Sequence, residues 1–70
     1  MFTIRAGNTN DSFPDEATAI AAAKIRWPGA GVSVVASAAG PSLILIDRRQ
    51  NVVVTVDGPI TPSSVGRWRL

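Results

Sequence analysis

Five carboxylates and one lysine are the titratable groups with which this 70-residue chain could do acid–base or nucleophilic chemistry, because it has no histidine and no cysteine. The commonest general base, the best nucleophile and the ligands of structural zinc sites are therefore missing. Asp15 and Glu16 fall where a helix should begin, and acids there stabilise the helix dipole without any catalytic role. Asp47 stands beside "RRQN" as an ordinary turn opener. Asp57 lies at the far end of the same predicted hairpin, so the two carboxylates are too distant to share a proton or a Mg²⁺ ion. Lys24 near Trp27 has in principle the makings of a desolvated amine nucleophile, but a lysine that snorkels its ammonium past the indole is by far the better explanation. "GAGVS" follows the helix, whereas a phosphate cradle needs glycines leading into one. We therefore expect no enzyme, no cofactor and no metal.

The remaining chemistry is recognition. Arg48-Arg49-Gln50 at a predicted hairpin tip can reach phosphates, and Arg67-Trp68-Arg69 offers charge beside a stacking surface. Trp and Arg are equally the residues of protein hot spots, so the same side chains serve either kind of partner. The isoelectric point near 10.6 exaggerates the basic character. Net charge is only +2, from seven Lys+Arg against five Asp+Glu. With nothing titrating near neutrality, a small arginine excess carries the isoelectric point far upward. Four arginines over two sites fall short of a basic stripe.

The elements that position these residues follow from periodicity. "MFTIRA" alternates as a half-buried strand, and "GNTNDS" reads as a loop by composition. "SFPDEATAIAAAKIRWPG" carries helix signals: Ser12 or Phe13 near the cap, Pro14, Asp15 and Glu16 in the first turn, Arg26 in the last, Pro28-Gly29 beyond. At about 100° per residue, Phe13, Ala17, Ile20, Ala21, Lys24 and Trp27 share one side, with Ile20 and Trp27 expected inward; Asp15, Thr18, Ala19, Ala22 and Arg26 share the other. "GVSVVASA", "SLILID" and "NVVVTVD" read as three strands broken at "AGPS" and "RRQN".

Even-length loops set Ile46 opposite Val53, Leu45 opposite Val54, Ile44 opposite Thr55 and Leu43 opposite Val56. A similar turn at Gly40-Pro41 sets Ala36 opposite Leu45 and Ser37 opposite Ile44. Facing residues share a side of the sheet. One face then gathers Val32, Val34, Ala36, Ala38, Leu43, Leu45, Val52, Val54 and Val56, and the helix should lie on it. The other face gathers Thr3, Arg5, Ser33, Val35, Ser37, Ile44, Ile46, Val53 and Thr55, a polar surface with an apolar centre. Val35, Ile44, Ile46 and Val53 lack a second helix to cover them. Three explanations stand: strand propensity alone, a contact surface for a partner or a second copy, or a cover formed by Ile60, Val65 and Trp68 of the tail "GPITPSSVGRWRL".

The expected architecture is α+β in the order β-α-β-β-β, one helix against one face of a four-stranded, mainly antiparallel sheet. Residues 1–58 form the domain, and 59–70 a tail packing on it or extending from it. A chain this short buries only about 60% of its unfolded surface, so a partner chain is a natural support. A strand-like run from Phe2 leaves no room for a signal peptide, and no window approaches the roughly 20 apolar residues of a membrane span. A cytoplasmic protein is expected.

In size and plan, with an Ala-rich helix "DEATAIAAAKIRW" on a small antiparallel sheet and no catalytic groups, the chain is similar to the small inhibitors encoded by phages and mobile elements, anti-CRISPR proteins among them. The resemblance covers the whole chain as a plan and rests on no motif. It implies a stoichiometric inhibitor that occludes a host protein or nucleoprotein complex in the host cytoplasm. Many such inhibitors are acidic mimics of nucleic acid; this chain is not, and its arginines would instead meet an acidic protein surface or the nucleic acid itself. The expected partner-binding residues are Val35, Ile44, Ile46, Arg48, Arg49, Val53, Arg67, Trp68 and Arg69. The alternatives are a small nucleic-acid-binding protein using Arg48, Arg49, Arg67 and Arg69, and a structural subunit that homodimerises through the open sheet face.

Overall fold

The computed structural model describes residues 1–38 and 40–70. β1 (Phe2–Ala6) alternates as expected, burying Phe2, Ile4 and Ala6. It turns at Gly7-Asn8 into a strand that composition had hidden, β2 (Thr9–Phe13). The expected loop "GNTNDS" is thus mostly an edge strand, and the sheet has five strands rather than four. Gly7 supplies the positive φ of 58° that the tight turn requires. The Thr9 hydroxyl donates to the Ala6 carbonyl at 2.7 Å. β2 forms without an apolar alternation because β1 supplies its ladder, pairing Phe2 with Phe13 and Ala6 with Thr9. Only Phe13 of this strand packs against the core.

α1 (Glu16–Arg26) starts two or three residues later than the sequence suggests, because Asp15 is its cap. The Asp15 carboxylate accepts the Thr18 backbone N–H at 2.8 Å. That bond holds the carboxyl below its usual value of 3.8. A depressed folded-state pKa means that the cap contributes stability above the usual value and loses it as pH falls through the lower, folded one. A carboxyl-resolved NMR titration should therefore place Asp15 below 3.8. Asp15→Asn, which caps without titrating, should remove this component of acid unfolding; an Asp15 that titrates at its ordinary value would contradict the cap.

The helix also presents a different face from the expected one. Ala19 and Ala23 are fully buried and Ile20 half-buried, while Ala17, Ala21 and Lys24 are exposed. Ala19, assigned outward, in fact faces the sheet. The larger side chains had weighted the helical wheel, but small residues let a helix approach a sheet closely, and here the alanines take the contact. Trp27 does reach the core, from the irregular backbone of the C-cap (φ −133°, ψ 60°) rather than from the helical stripe. Lys24 lies in solvent.

β3 (Gly31–Ser37), β4 (Gly40–Asp47) and β5 (Val52–Asp57) complete an antiparallel sheet in the order β2-β1-β5-β4-β3. The β4–β5 register is the expected one, from Leu43 opposite Val56 to Ile46 opposite Val53. The β3–β4 register differs: Val32, not Ala36, faces Leu45, and Ser33, not Ser37, faces Ile44. β4 begins at Gly40, so Pro41 and Ser42 of the expected turn belong to a strand; Ala39 is outside the described residues. The shift is four positions, an even number, so no side chain changes face.

Leu43, Leu45, Val54 and Val56 are fully buried beneath the helical layer, together with Ile4. Each such side chain contributes about 1.5–3 kcal/mol. Val34 on the same face is 41% exposed, and Ala36 and Ala38 are exposed too, contrary to expectation. The reason is the position of α1, which packs over β1 and β2. The β3 side is served instead by the C-terminal segment, which forms a short helix, α2 (Ser64–Arg67). Ile60 and Trp68 from this segment lie in the core, so residues 59–70 are part of the domain and do not cover the opposite face.

Candidate interaction surface

Across the sheet, the face away from the helices forms a grid. On β5 and β4, Val53 faces Ile46 and Thr55 faces Ile44; on β3, Ser33 faces Ile44 and Gly31 faces Ile46. Val35 sits diagonally from Ile44, opposite Ser42. Val53 is 59% exposed, Val35 49% and Ile46 42%, with Ile44 half-buried between them. The four residues named from the sequence are therefore brought together as one apolar patch.

Polar side chains bound the patch on the β1 side. Arg5 pairs with Asp57 at 2.7 Å, and Ser42 donates to the same carboxylate at 3.1 Å. This charge is neutralised within the sheet surface. Asp57 and Asp47 stand at opposite ends of the hairpin and on opposite faces, so they form no carboxylate pair. Among the described residues no group of three His, Cys, Asp or Glu side chains converges.

At the other end lies the β4–β5 loop. Asp47 opens it as an Asx turn, its Oδ1 accepting the N–H groups of Arg49 (2.9 Å) and Gln50 (3.2 Å). Asp47 is 3% exposed, and its Oδ2 has no hydrogen-bond partner among the described residues. The loop is tied to the C-terminus of α1: Gln50 donates to the Arg26 carbonyl at 2.7 Å, and Arg49 to the Pro28 carbonyl at 2.9 Å. The Gln50 donor satisfies a carbonyl that the helix end leaves open. Arg49 is thus a tether. Arg48 is exposed and makes no ion pair among the described residues, which leaves it as the free cation beside Ile46. A hollow of ≈ 510 Å³ opens at this corner, between Gly31, Ser33, Ile46, Arg48 and Arg49.

Arg67, Trp68 and Arg69 do not join this surface. Trp68 is fully buried, which removes it from the expected contact residues, and its indole N–H donates to Glu16 Oε2 at 3.2 Å. Arg67 pairs with the same carboxylate. Arg69 is exposed, in the segment that packs on the helical side. The tail signal "RWR" reads as recognition in isolation; its role in the core depends on Glu16, 52 positions away. Arg26, whose guanidinium lies 4.4 Å above the Trp27 ring, bridges at 3.0 Å to Asp11 on β2.

A second hollow of ≈ 390 Å³ opens on the helical side, between Val34, Pro41, Ile60, Pro62 and Val65. Its lining is almost entirely apolar. No signal in the sequence marked it, since it arises where the tail meets the β3 edge. Among the described residues no helix is long and apolar enough to cross a membrane. Neither the sequence nor the fold matches a known family model, a curated protein or a solved structure.

Proposed function

We propose that the chain is a non-catalytic protein-binding module that engages its partner through Val35, Ile44, Ile46 and Val53, with Arg48 at the rim. The observation that carries this reading is the use of the tail. It brings Ile60 and Trp68 to the sheet yet spends them on the helical side, leaving Val53, Val35 and Ile46 between 59% and 42% exposed. An apolar patch with a polar rim is the composition of a contact surface. Arg48, the free cation at its edge, favours a partner with acidic groups around an apolar centre. The module would act by occupancy, as do the phage-type inhibitors that it resembles in plan.

Nucleic acid draws less support, because Trp68 is buried and Arg67 and Arg49 are held by internal acceptors.

The test is a pair of charge insertions, Ile46→Asp and Val53→Asp. Both positions are exposed, so each variant should keep the wild-type fold and stability within about 0.5–1 kcal/mol. Both should lose a partner that the wild-type chain and a Lys24→Glu control retain when used to capture proteins from a host lysate. Retention of that partner by both variants places the contact elsewhere on the molecule.

A further inference from the structure

The two edges of the sheet are built differently. β2 is short, polar and guarded: five residues including Asn10 and Asp11, the latter held by Arg26. β3 is seven residues long, GVSVVAS, with no charged residue and no proline. Its pairing with β4 runs unbroken from Gly31 opposite Ile46 to Ser37 opposite Gly40, so it has no bulge. Among the described residues no strand pairs with its outer side. Exposed edge strands ordinarily carry a lysine, a proline, a bulge or an inward charge to prevent edge-to-edge association. β3 has none of these.

We infer that β3 pairs antiparallel with β3 of a second copy of this chain. A two-fold contact brings every residue against itself or its symmetry mate, so a charge at the seam would meet its own kind. An uncharged strand meets that condition without a complementary partner. The register that overlaps all seven residues centres on Val34, with Val32 opposite Ala36 and Ser33 opposite Val35 of the second copy. The seam would be about 23 Å long at 3.3 Å per residue.

A strand edge alone is narrow beside the roughly 800 Å² per partner of a stable interface. The apolar shelf of Pro62 and Val65 next to Val34 supplies further surface on the helical side. In the proposed dimer the two shelves flank the paired Val34 side chains, which are 41% exposed in the single chain. Pairing uses both β3 edges and leaves only guarded β2 edges outside, so assembly stops at two copies. This contact is separate from the open face and does not depend on the function proposed for it.

Sedimentation over a dilution series reaching millimolar protein should reveal a reversible monomer–dimer equilibrium. Val34→Lys, which sets two ammonium groups face to face at the centre of the seam, should weaken it by about tenfold or more. Ile46→Asp on the open face should leave it unchanged. A cysteine-free chain also permits a direct check of register that does not require the lysine variant to fold. Facing Cβ atoms in an antiparallel pair lie about 4.5–5.5 Å apart, so Val34→Cys should cross-link to its own copy on mild oxidation with diamide. Ala36→Cys, displaced from its mate by four positions, should not. A single monomeric species at every concentration overturns the inference, as does a dimer that Ile46→Asp dissociates and Val34→Lys does not.

Discussion

Trp68→Ala is expected to remove a large part of the chain's stability at room temperature. Truncating a buried tryptophan costs about 3–5 kcal/mol. Total stability at roughly 0.05–0.15 kcal/mol per residue gives a domain of this length only about 3.5–10 kcal/mol. Trp68 is fully buried, and its loss would do more than leave a cavity. The indole N–H, the Ser64 hydroxyl and the Arg67 guanidinium all donate to the Glu16 carboxylate, so the tail and the first turn of α1 are joined at one acceptor. Removing the indole takes away the apolar anchor that holds this cluster together. Trp68→Phe keeps most of the packing and loses only one donor, so it should be distinctly milder. Urea unfolding followed by far-UV circular dichroism separates the cases. A Trp68→Ala chain that melts like the wild type would mean that the tail is not docked in solution.

The same residue marks the limit of what the sequence made legible. Alternation and loop parity placed Leu43, Leu45, Val54 and Val56 on the covered face and Ile46 and Val53 on the open one, because strand facing depends only on odd and even counts. That rule survived a four-residue error in the β3–β4 pairing. The burial of Trp68 obeys no such local rule, since its partner Glu16 is distant in the chain. Helix facing failed for a different reason. A wheel weighted by large side chains cannot see that Ala19 and Ala23 gain more from close approach than Ala17 and Ala21 would. β2 was missed although the signal was present: Gly7-Asn8 is a two-residue hairpin loop, and it outweighs the polar composition of the five residues after it.

The apolar patch was legible for the reason that the core was. Val35, Ile44, Ile46 and Val53 share a parity, and the one later helix, α2, brings Trp68 to the opposite, covered side. What the sequence could not reveal is how the arginines divide. Arg48 makes no ion pair among the described residues, Arg49 ties the loop to Pro28, and Arg67 serves Glu16. Their identical chemistry in sequence conceals three different environments, each set by an acceptor that only the fold brings near.

Gly58→Ala should be the next most damaging change, although it adds a single methyl group. Gly58 follows β5 with φ 155°, where the chain leaves the sheet towards Ile60. A Cβ there would lie 2.7 Å from the Phe2 ring and 3.0 Å from the Met1 carbonyl. Phe2 is 5% exposed and wedged into the core, and the carbonyl belongs to the backbone, so neither can yield cheaply. Overpacking of this kind costs about 1–3 kcal/mol, and the unfavourable φ adds to it. The expected result is a fall in melting temperature of roughly 10 °C or more, since 1 kcal/mol corresponds to about 4–8 °C in a domain of this size. Gly66→Ala supplies the control with opposite sign. It lies within α2 with nothing within 4 Å of its added methyl, and reduced freedom of the unfolded chain should stabilise the protein by about 0.4–1 kcal/mol. If Gly58→Ala were also neutral or stabilising, the close approach of the β5 exit to the N-terminal strand would be wrong, and with it the route by which the tail reaches the helical side.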